Sequence, residues 1–439
     1  MGLYSELFYS DHINELFSER NTIGQMLRVE AELARAQEAA GVIPAGVADL
    51  IALCCQPDLI DMPRLKSEIK LGGNAAIPLV KQLTRIVKNN DVEASKYVHL
   101  GATSQDIVDT ATVLQVQEFG QWLAQKLKVL VLHLVEKTSS YRNTPMIGRT
   151  LLQQARPITF GLKTAGWLES IGRTQERIDD VKKRLLVVQL AGAVGSGNAQ
   201  ISSEVQQLFA QNLGIKSAFS WQSNRDTFAE WASVLGILTG TLGKIAKDVS
   251  LLMQTEVGEV YEGAAEGKGG SSTMPHKRNP VTCAAMLANA ARMPHLVATM
   301  LTAMPQEHER SAGLWHSEWE VLTQIMTMTA GTLERAIELL EGLEVDEKRM
   351  LANLELTQGL IYAENVSLAL APKMGKNQAH EWVEKACKIA IAQQKHLKEV
   401  LLESKIDVPS VDELFKPENA LGLSLEMIDK VLKKFGHIR

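Results

Sequence analysis

Aromatic residues are scarce in this sequence: they make up 5% of the 439 residues, whereas hydrophobic residues make up 45%. Such a composition favours cores of Leu, Val, Ile and Ala, which suit bundles of helices. Cysteine is scarce too, and the four thiols show no C-x-x-C pair and no metal-binding spacing. We therefore expect reduced thiols in a cytoplasmic protein. The four are Cys54, Cys55, Cys283 and Cys387.

A strong charge of either sign is also absent, since the formal net charge is −5. Nothing global attracts nucleic acid or an acidic membrane surface, so an anionic substrate would need a local positive potential. No window is long and apolar enough to span a bilayer. The first residues lack the basic-then-apolar layout of a signal peptide. We expect neither a nucleic acid nor a membrane partner.

Proline is absent between Pro157 and Pro275, which allows several long helices. Near the N-terminus, apolar residues recur at spacings of three and four and predict a helix, whose intervening polar residues we expect to face solvent. The apolar positions are Met26, Val29, Leu33, Ala36 and Ala40, and the polar ones are Arg28, Glu30, Glu32 and Arg35.

Two further segments predict tight helix packing. Residues 127–135 are apolar on every side, which predicts a helix buried all round. Within residues 228–257, Gly236, Gly240 and Gly243 lie at spacings of four and three, and small residues on one face let two helices approach closely. One subunit need not supply all the neighbours of so apolar a helix, so an oligomeric bundle is favoured.

The most informative stretch is residues 269–280, Gly-Gly-Ser-Ser-Thr-Met-Pro-His-Lys-Arg-Asn-Pro, which we name the signature loop. Its glycines, hydroxyl side chains and prolines disfavour both helix and strand, and its many donors suit an anion. The loop resembles the signature of the fumarase/aspartase superfamily, Gly-Ser-Ser-x-Met-Pro-x-Lys-x-Asn-Pro. The resemblance implies that it closes over the substrate, with Ser271 transferring a proton on carbon. It also implies that Lys277 and Asn279, with Ser272, bind the substrate.

The Pro-His-Lys-Arg-Asn-Pro form of the signature loop resembles two branches of that superfamily. One branch is the adenylosuccinate lyases, which release fumarate. The other is a group of bacterial cycloisomerases, which close a lactone ring on a carboxylated muconate. Three further segments bear on the choice between them.

Residues 99–110 contain Thr103-x-x-Asp106 before an apolar run, a capping box that ordinarily begins a helix. The free N–H groups of such a helix end also suit a substrate carboxylate. The segment resembles the first conserved region of the superfamily, which implies that Thr103 and Ser104 bind the substrate. His99 alone would more often be a structural histidine. The lyase branch, however, has a histidine in the active site at this place, which implies a catalytic role for His99.

Residues 148–161 resemble the second conserved region, which in adenylosuccinate and argininosuccinate lyases reads Gly-Arg-Thr-His-x-Gln. Thr150 and Gln153 are retained, and the resemblance implies that they bind substrate. The histidine that protonates the departing nitrogen is replaced by Leu151. Leucine exchanges no proton, so this substitution counts against the release of a basic amine, for which general acid catalysis contributes roughly 10²–10⁴ in rate. A carboxylate leaves as a weak base, with a pKa of about 4 for its acid, so lactone chemistry needs no such help.

The third segment, residues 306–319, separates the branches again. It begins with Gln-Glu-His-Glu-Arg and continues to Trp-His-Ser-Glu-Trp, which resembles the cycloisomerases. The guanidinium of Arg310 matches a planar carboxylate, so we expect it to anchor the substrate, with His308 beside it. His308 and His316 do not make a convincing metal site without a third ligand. Arg225 and Asp226 resemble an Arg-Asp pair found in both branches. Two interpretations of this pair are equally open: a structural ion pair and a role in the active site.

The resemblance implies an all-α protein with three helical domains, residues 1–110, 111–355 and 356–439. It implies a long central helical bundle completed in a homotetramer, with active sites shared between subunits. The expected activity is an intramolecular lyase reaction on a small tricarboxylate in protocatechuate degradation, with no cofactor or metal. Two alternatives stay open: an adenylosuccinate-type lyase that uses another acid, and a non-catalytic structural homologue of the kind found in lens. The intact Ser271, Lys277 and Asn279 argue against the second.

Overall fold

The computed structural model describes residues 3–265, 267–270, 273–274, 276–404 and 406–436. The described residues are mainly helical, as predicted, and none of their helices is long and apolar enough to cross a membrane. The α-helices are α1 Ser5–Phe8, α2 Asp11–Leu16, α3 Glu19–Ala39, α4 Val47–Cys54, α5 Met62–Gly72, α6 Ala76–Asn90, α7 Ser104–Ser140, α8 Phe160–Leu185, α9 Ser203–Leu213, α10 Asp226–Leu252, α11 Val281–Thr302, α12 Leu314–Glu341, α13 Glu347–Leu354, α14 Ala363–Met374, α15 Lys376–Gln393, α16 Leu397–Glu403, α17 Val411–Leu414 and α18 Ser424–Phe435.

Two short antiparallel sheets accompany the helices. The first is a hairpin of β1 (Pro145–Thr150) and β2 (Gln153–Thr159), and the second pairs β3 (Val260–Tyr261) with β4 (Glu344–Val345). The long helices expected in the stretch without proline are present, since α8 has 26 residues and α10 has 27. The prediction of an all-α fold is therefore confirmed, because the strands are few and short.

The chain divides into two compact units. The first comprises Met1–Lys126, Thr174–Gly240 and Ala288–Glu334, and the second comprises Leu127–Arg173, Thr241–Leu287 and Arg335–Arg439. Each unit is thus assembled from three separate stretches of chain. The predicted division into three domains in chain order stays a prediction.

Helix α3 organises the core of the first unit. The Ser18 side chain caps its first turn by accepting from the Asn21 N–H at 3.2 Å. The predicted apolar stripe is buried from Met26 to Ala36 and packs with residues of α4, α6 and α9. The prediction that Glu30 faces solvent is wrong: the residue is 2% exposed, because a histidine partner described below draws its carboxylate inward.

Helix α10 approaches α11 closely in the first unit, as its glycines predicted. A Cβ atom added at Gly236 would lie 2.9 Å from the Val297 side chain, so only glycine fits without a shift. In the second unit, residues 127–135 are not buried all round within one chain. Val129 and Leu132 are each 38% exposed, because the helix turns one apolar face away from the residues of its own unit.

Candidate active site

A buried carboxylate begins α7 and ties two segments of the first unit together. The Asp106 side chain accepts from the Thr103 N–H at 3.0 Å, which is one of the two hydrogen bonds of a capping box, and the helix begins at Ser104 as predicted. It also accepts from the backbone N–H groups of Ala191 at 3.0 Å and Gly192 at 2.9 Å. Burial raises the pKa of Asp106, and these hydrogen bonds oppose that rise. Asp106 therefore fixes the loop that begins at residue 191 against the start of α7.

His99 has a partner that the sequence did not reveal. Its Nδ1 lies 2.7 Å from Oε1 of Glu30, whose side chain is 1% exposed, while the His99 side chain is 19% exposed. Burial disfavours the imidazolium, but the charge and hydrogen bond of Glu30 and the charge of Asp106 outweigh that cost. The pKa of His99 is therefore raised above its ordinary value. The backbone of His99 has φ 59°, a left-handed conformation that is uncommon outside glycine and asparagine.

The turn of residues 99–103, here called the His99 turn, is held by two amide side chains. Gln37, fully buried on α3, donates from Nε2 to the carbonyl oxygens of Leu100 at 2.7 Å and Gln200 at 3.1 Å. Asn198 donates from Nδ2 to the carbonyl oxygen of Gly101 at 2.8 Å. Gly101 has φ 76°, and a Cβ there would lie 2.8 Å from the Asn198 side chain. The backbone of the turn is thus fixed independently of the His99 ring.

Arg310 reaches the same turn, as the predicted role requires. Its Nη2 donates to the Thr103 hydroxyl at 2.8 Å and to the Ala193 carbonyl oxygen at 3.1 Å. Its Nε is buried without a hydrogen-bond partner among the described residues. Ser104 is half-buried at the first position of α7. His308 is exposed, with φ 48°, so its backbone conformation is also unusual.

Sequence reasoning missed the loop of residues 192–198, which supports Arg310. Its glycines Gly192, Gly195 and Gly197 all have positive φ. Gln222, which is 3% exposed, donates from Nε2 to the carbonyl oxygens of Ala193 at 3.2 Å and Glu309 at 2.8 Å, and so joins this loop to the segment that carries Arg310. Three glycines within six residues were a usable signal, whereas nothing in the sequence singles out Gln222.

Arg225 forms a buried network with two carboxylates. Its Nη1 lies 2.7 Å from Asp109 and its Nη2 lies 2.5 Å from Glu318, with all three side chains 2–3% exposed. Burial opposes the Arg225 charge, but the two carboxylates outweigh it and raise the pKa of Arg225. Trp315 donates from Nε1 to Asp109 at 3.0 Å. Arg225 thus pairs with α7 and α12 rather than with its neighbour Asp226.

The motif of residues 315–319 therefore supplies buried packing in the first unit. Trp315 and Trp319 meet edge to face, with ring centroids 4.9 Å apart. Trp319 and Glu318 line a cavity of 260 Å³ whose other walls are largely apolar, among them Met26 and Phe228. Arg225 engages the Asp109 and Glu318 carboxyl groups at the wall of this cavity, and burial raises the pKa of Glu318.

The β1–β2 hairpin carries Thr150 and Gln153, which face each other across its end. Both are exposed, and the residues between them, Leu151 and Leu152, are 96% and 78% exposed with φ 49° and 65°. A two-residue turn with positive φ at both positions ordinarily uses Asn and Gly. We name residues 150–153 the hairpin tip. Next to the hairpin tip, Arg149 on β1 pairs with the buried Glu259 at 2.6 Å.

The signature loop lies in the second unit, and the predicted Ser271 and Ser272 fall outside the described residues. Lys277 is exposed, and its backbone N–H donates to the Met274 carbonyl oxygen at 3.0 Å. Asn279 is half-buried, and its N–H donates to the Gly269 carbonyl oxygen at 2.8 Å. Both residues line a cavity of 280 Å³, together with Lys268. Arg278 lines this cavity as well, and its Nη1 donates to the Glu344 carboxylate at 2.9 Å.

The Glu262 side chain caps α11, the helix that follows the signature loop. It is 4% exposed and accepts from the backbone N–H groups of Thr282 at 3.1 Å and Cys283 at 2.8 Å, at the start of α11. The positive end of that helix is therefore already occupied by a carboxylate of the chain itself. Within the described ranges, no three His, Cys, Asp or Glu side chains are grouped so that they could hold a metal ion.

The predicted site residues thus fall into two groups. His99, Thr103, Ser104, His308 and Arg310 belong to the first unit, where His99, Thr103 and Arg310 share one hydrogen-bonded framework. Thr150, Gln153, Lys277 and Asn279 belong to the second unit. Each group offers donors and cations for carboxylates, and the first also offers His99, whose pKa is raised by Glu30 and Asp106.

Comparison with known proteins identifies the family. A sequence model described as lyase matches residues 8–294, and one described as adenylosuccinate lyase C-terminus matches residues 359–431. The chain therefore belongs to this lyase family of enzymes, and the predicted resemblance to the fumarase/aspartase superfamily is confirmed.

Its relatives are more particular. The chain is 46% identical to a 3-carboxy-cis,cis-muconate cycloisomerase of Acinetobacter baylyi, with 98% of both chains covered. It is 45% identical to the enzyme of that name from Pseudomonas aeruginosa, covering 98% of this chain and 95% of the other. The crystal structure of the 3-carboxy-cis,cis-muconate lactonizing enzyme from Pseudomonas putida matches with a TM-score of 0.94 at 42% identity, with 99% of both chains covered.

Proposed function

We propose that this chain interconverts 3-carboxy-cis,cis-muconate and 4-carboxymuconolactone as a step in protocatechuate degradation. Near full-length identity of 45–46% to enzymes of that name supports the substrate. The single observation that carries the choice of reaction is Leu151, which stands at the hairpin tip where related lyases have their acid histidine.

The chemistry explains why leucine suffices there. Release of an amine leaves a strongly basic nitrogen, which requires a proton in the transition state. In lactone opening the leaving group is a carboxylate, whose acid has a pKa of about 4. The proposed reaction therefore has one demanding proton transfer, at carbon, and needs no acid at the hairpin tip.

In the lactone-forming direction, an oxygen of one substrate carboxylate adds to a carbon of the diene. The π electrons of that double bond move toward the neighbouring carbon, and negative charge builds on the carboxylate attached to it. Lys277, Asn279, Thr103 and backbone donors stabilise this enolate-like dianion. Ser271 delivers the proton to the carbon, which balances the C–O bond formed and the π bond lost. Lys277 and His99 are the alternative donors.

The remaining residues bind the substrate carboxylates. Arg310 acts as the anchor because its guanidinium has a fork that matches a carboxylate and is tied in place by Thr103. The other proposed contacts are Ser104, Thr150, Gln153, Ser272 and His308. His99 holds a further carboxylate as an imidazolium.

We further propose a cytoplasmic homotetramer with three helical domains in each chain and with active sites shared between subunits. The apolar residues Val129 (38% exposed), Leu132 (38%) and Ile237 (44%) support an oligomer, because they leave apolar helix surface open in one chain. Light scattering coupled to size-exclusion chromatography tests the tetramer. A monomer that turns over substrate would contradict the proposal that the active sites are shared between subunits.

An ultraviolet assay of the purified protein tests the reaction. We expect loss of the conjugated diene absorbance with 3-carboxy-cis,cis-muconate and no fumarate from adenylosuccinate. Lys277→Met should lower turnover of the muconate by about 10²-fold or more, as expected for the loss of a charge-stabilising group. Arg278→Met is the matched control in the same loop, because Arg278 is already paired with Glu344.

Fumarate released from adenylosuccinate would contradict the proposal and would mean that another residue supplies the acid. Full turnover by Ser271→Ala would overturn the assignment of the proton to Ser271 while leaving the reaction intact. A folded protein that converts neither substrate would favour the non-catalytic alternative.

A further inference from the structure

We propose that Glu30 is a positioning residue that orients the His99 ring and keeps it an imidazolium, with its second nitrogen available to a substrate carboxylate. The proposal rests on the role of His99 in the proposed function. Glu30 lies 69 positions from His99 in the sequence, so only the fold brings the two together.

The contact is directional. Oε1 of Glu30 lies 2.7 Å from Nδ1 of His99, so that nitrogen carries a proton and donates it to the carboxylate. Nε2 has no hydrogen-bond partner among the described residues, and the 19% exposed fraction of the side chain leaves part of the ring accessible. A donor on the accessible edge suits an anion.

The charges around His99 all favour the cation. Glu30 faces the ring from α3, and the Asp106 carboxylate acts on it from the first turn of α7. Oε2 of Glu30 is buried without a hydrogen-bond partner in the described part of the chain. A buried carboxylate with one free oxygen is costly unless a charged partner compensates it, so it favours the protonated ring.

The backbone around His99 does not depend on Glu30. Gln37, two helical turns after Glu30 on the same helix, holds the Leu100 carbonyl, and Asn198 holds that of Gly101. These two amides keep the His99 turn in its left-handed conformation. A change at Glu30 should therefore alter the ring and its charge while the turn stays in place.

The variant Glu30→Gln tests the proposal, because it keeps the length and an acceptor oxygen but removes the charge. The matched control is Glu32→Gln on the same helix, since Glu32 pairs with Arg35 at 2.5 Å and does not contact His99. The probe is diethyl pyrocarbonate, which modifies neutral imidazole. Tryptic cleavage after Lys96 and Lys126 gives a peptide whose single histidine is His99, so mass spectrometry can follow it alone.

We expect Glu30→Gln to move the midpoint of His99 labelling to lower pH and to speed labelling at pH 6 by roughly threefold or more, since one unit of pKa is a tenfold change in the protonation ratio. Glu32→Gln should leave the midpoint unchanged. An unchanged midpoint in Glu30→Gln would overturn the proposal. If Glu30→Gln fails to fold, titration of the unaltered protein decides: the midpoint of His99 labelling must lie above the ordinary histidine pKa of about 6.5, and a midpoint below it would also overturn the proposal.

Turnover gives a second readout that a purely structural role would not move. Activity that needs the imidazolium should fall as pH rises through the raised pKa of His99, and in Glu30→Gln this fall should occur at lower pH. The labelling midpoint does not depend on turnover. If Glu30→Gln shifts the labelling midpoint but the protein does not act on the muconate, the role of Glu30 toward His99 is supported. That result contradicts only the proposed function.

Discussion

The His99 turn of the first unit and the hairpin tip of the second unit both carry predicted site residues, but they are built in opposite ways. In the turn, side chains from α3 and from the segment around Asn198 hold the backbone, and Asp106 ties its end to residue 192. At the hairpin tip, the two central leucines are almost fully exposed in a strained conformation. One chain thus holds the backbone of the first region with side-chain hydrogen bonds and leaves the second region uncovered.

The difference shows which of the two regions stabilises the fold of a single chain. Buried hydrogen bonds such as those of Gln37 and Asp106 to the backbone rigidify a region and specify one arrangement. Exposed apolar residues with positive φ give a single chain no such benefit and cost conformational free energy. We therefore expect substitutions in the first unit to change stability or substrate binding strongly, and substitutions at the hairpin tip to be tolerated by the fold.

The largest effect should come from Arg225→Met. It leaves Asp109 and Glu318 buried without their cation, and breaking such a network costs about 3–5 kcal/mol in the free energy of unfolding. Urea denaturation at fixed protein concentration measures it. Lys388→Met is the control, because it breaks an exposed pair with Glu384 that contributes little to stability. A loss of less than about 1 kcal/mol in the free energy of unfolding for Arg225→Met would contradict the expectation that substitutions in the first unit change stability strongly.

A smaller effect, on activity, should follow Arg310→Ala. Loss of the carboxylate anchor should lower kcat/KM by about 10²-fold, with the protein still folded. Thr103→Val, which removes only the hydroxyl that accepts from Arg310, should lower it by about tenfold, the equivalent of one hydrogen bond to a charged group. Steady-state kinetics with 3-carboxy-cis,cis-muconate measures both, and activity near that of the unaltered protein in Arg310→Ala would remove it from the site.

The smallest effect should come from the double variant Leu151→Asn with Leu152→Gly. These residues suit the turn, so relief of strain should raise the free energy of unfolding by about 1 kcal/mol. Turnover should stay within about tenfold, since no titratable group is lost. Urea denaturation and the ultraviolet assay measure the two quantities. A loss of stability would contradict this expectation. It would show that the two leucines are buried in the assembled protein, so that the hairpin tip is covered by another subunit.

Sequence reasoning succeeded where a signal was local. The capping box at Thr103 and Asp106, the long helices between Pro157 and Pro275, and the close approach at Gly236 all followed from neighbouring residues or short spacings. It failed for Glu30, because a charged residue beside an apolar stripe ordinarily faces solvent. At Val129 and Leu132, each 38% exposed in one chain, burial all round stays a prediction, because hydrophobicity does not say which subunit provides the neighbours.

The sequence by itself determined the all-α fold, the superfamily, and the chemical point that Leu151 cannot act as an acid, because these depend on helical periodicity, a long specific motif and the nature of one side chain. Tertiary structure alone decided that Glu30 faces His99, that Arg225 pairs with Asp109 and Glu318, and that Gln222 joins two loops. Those contacts link residues 69 to 116 positions apart in the sequence, and the contact of Gln222 with Glu309 spans 87 positions. The buried partner of a polar group is set by how helices pack, and spacing along the chain carries no record of it.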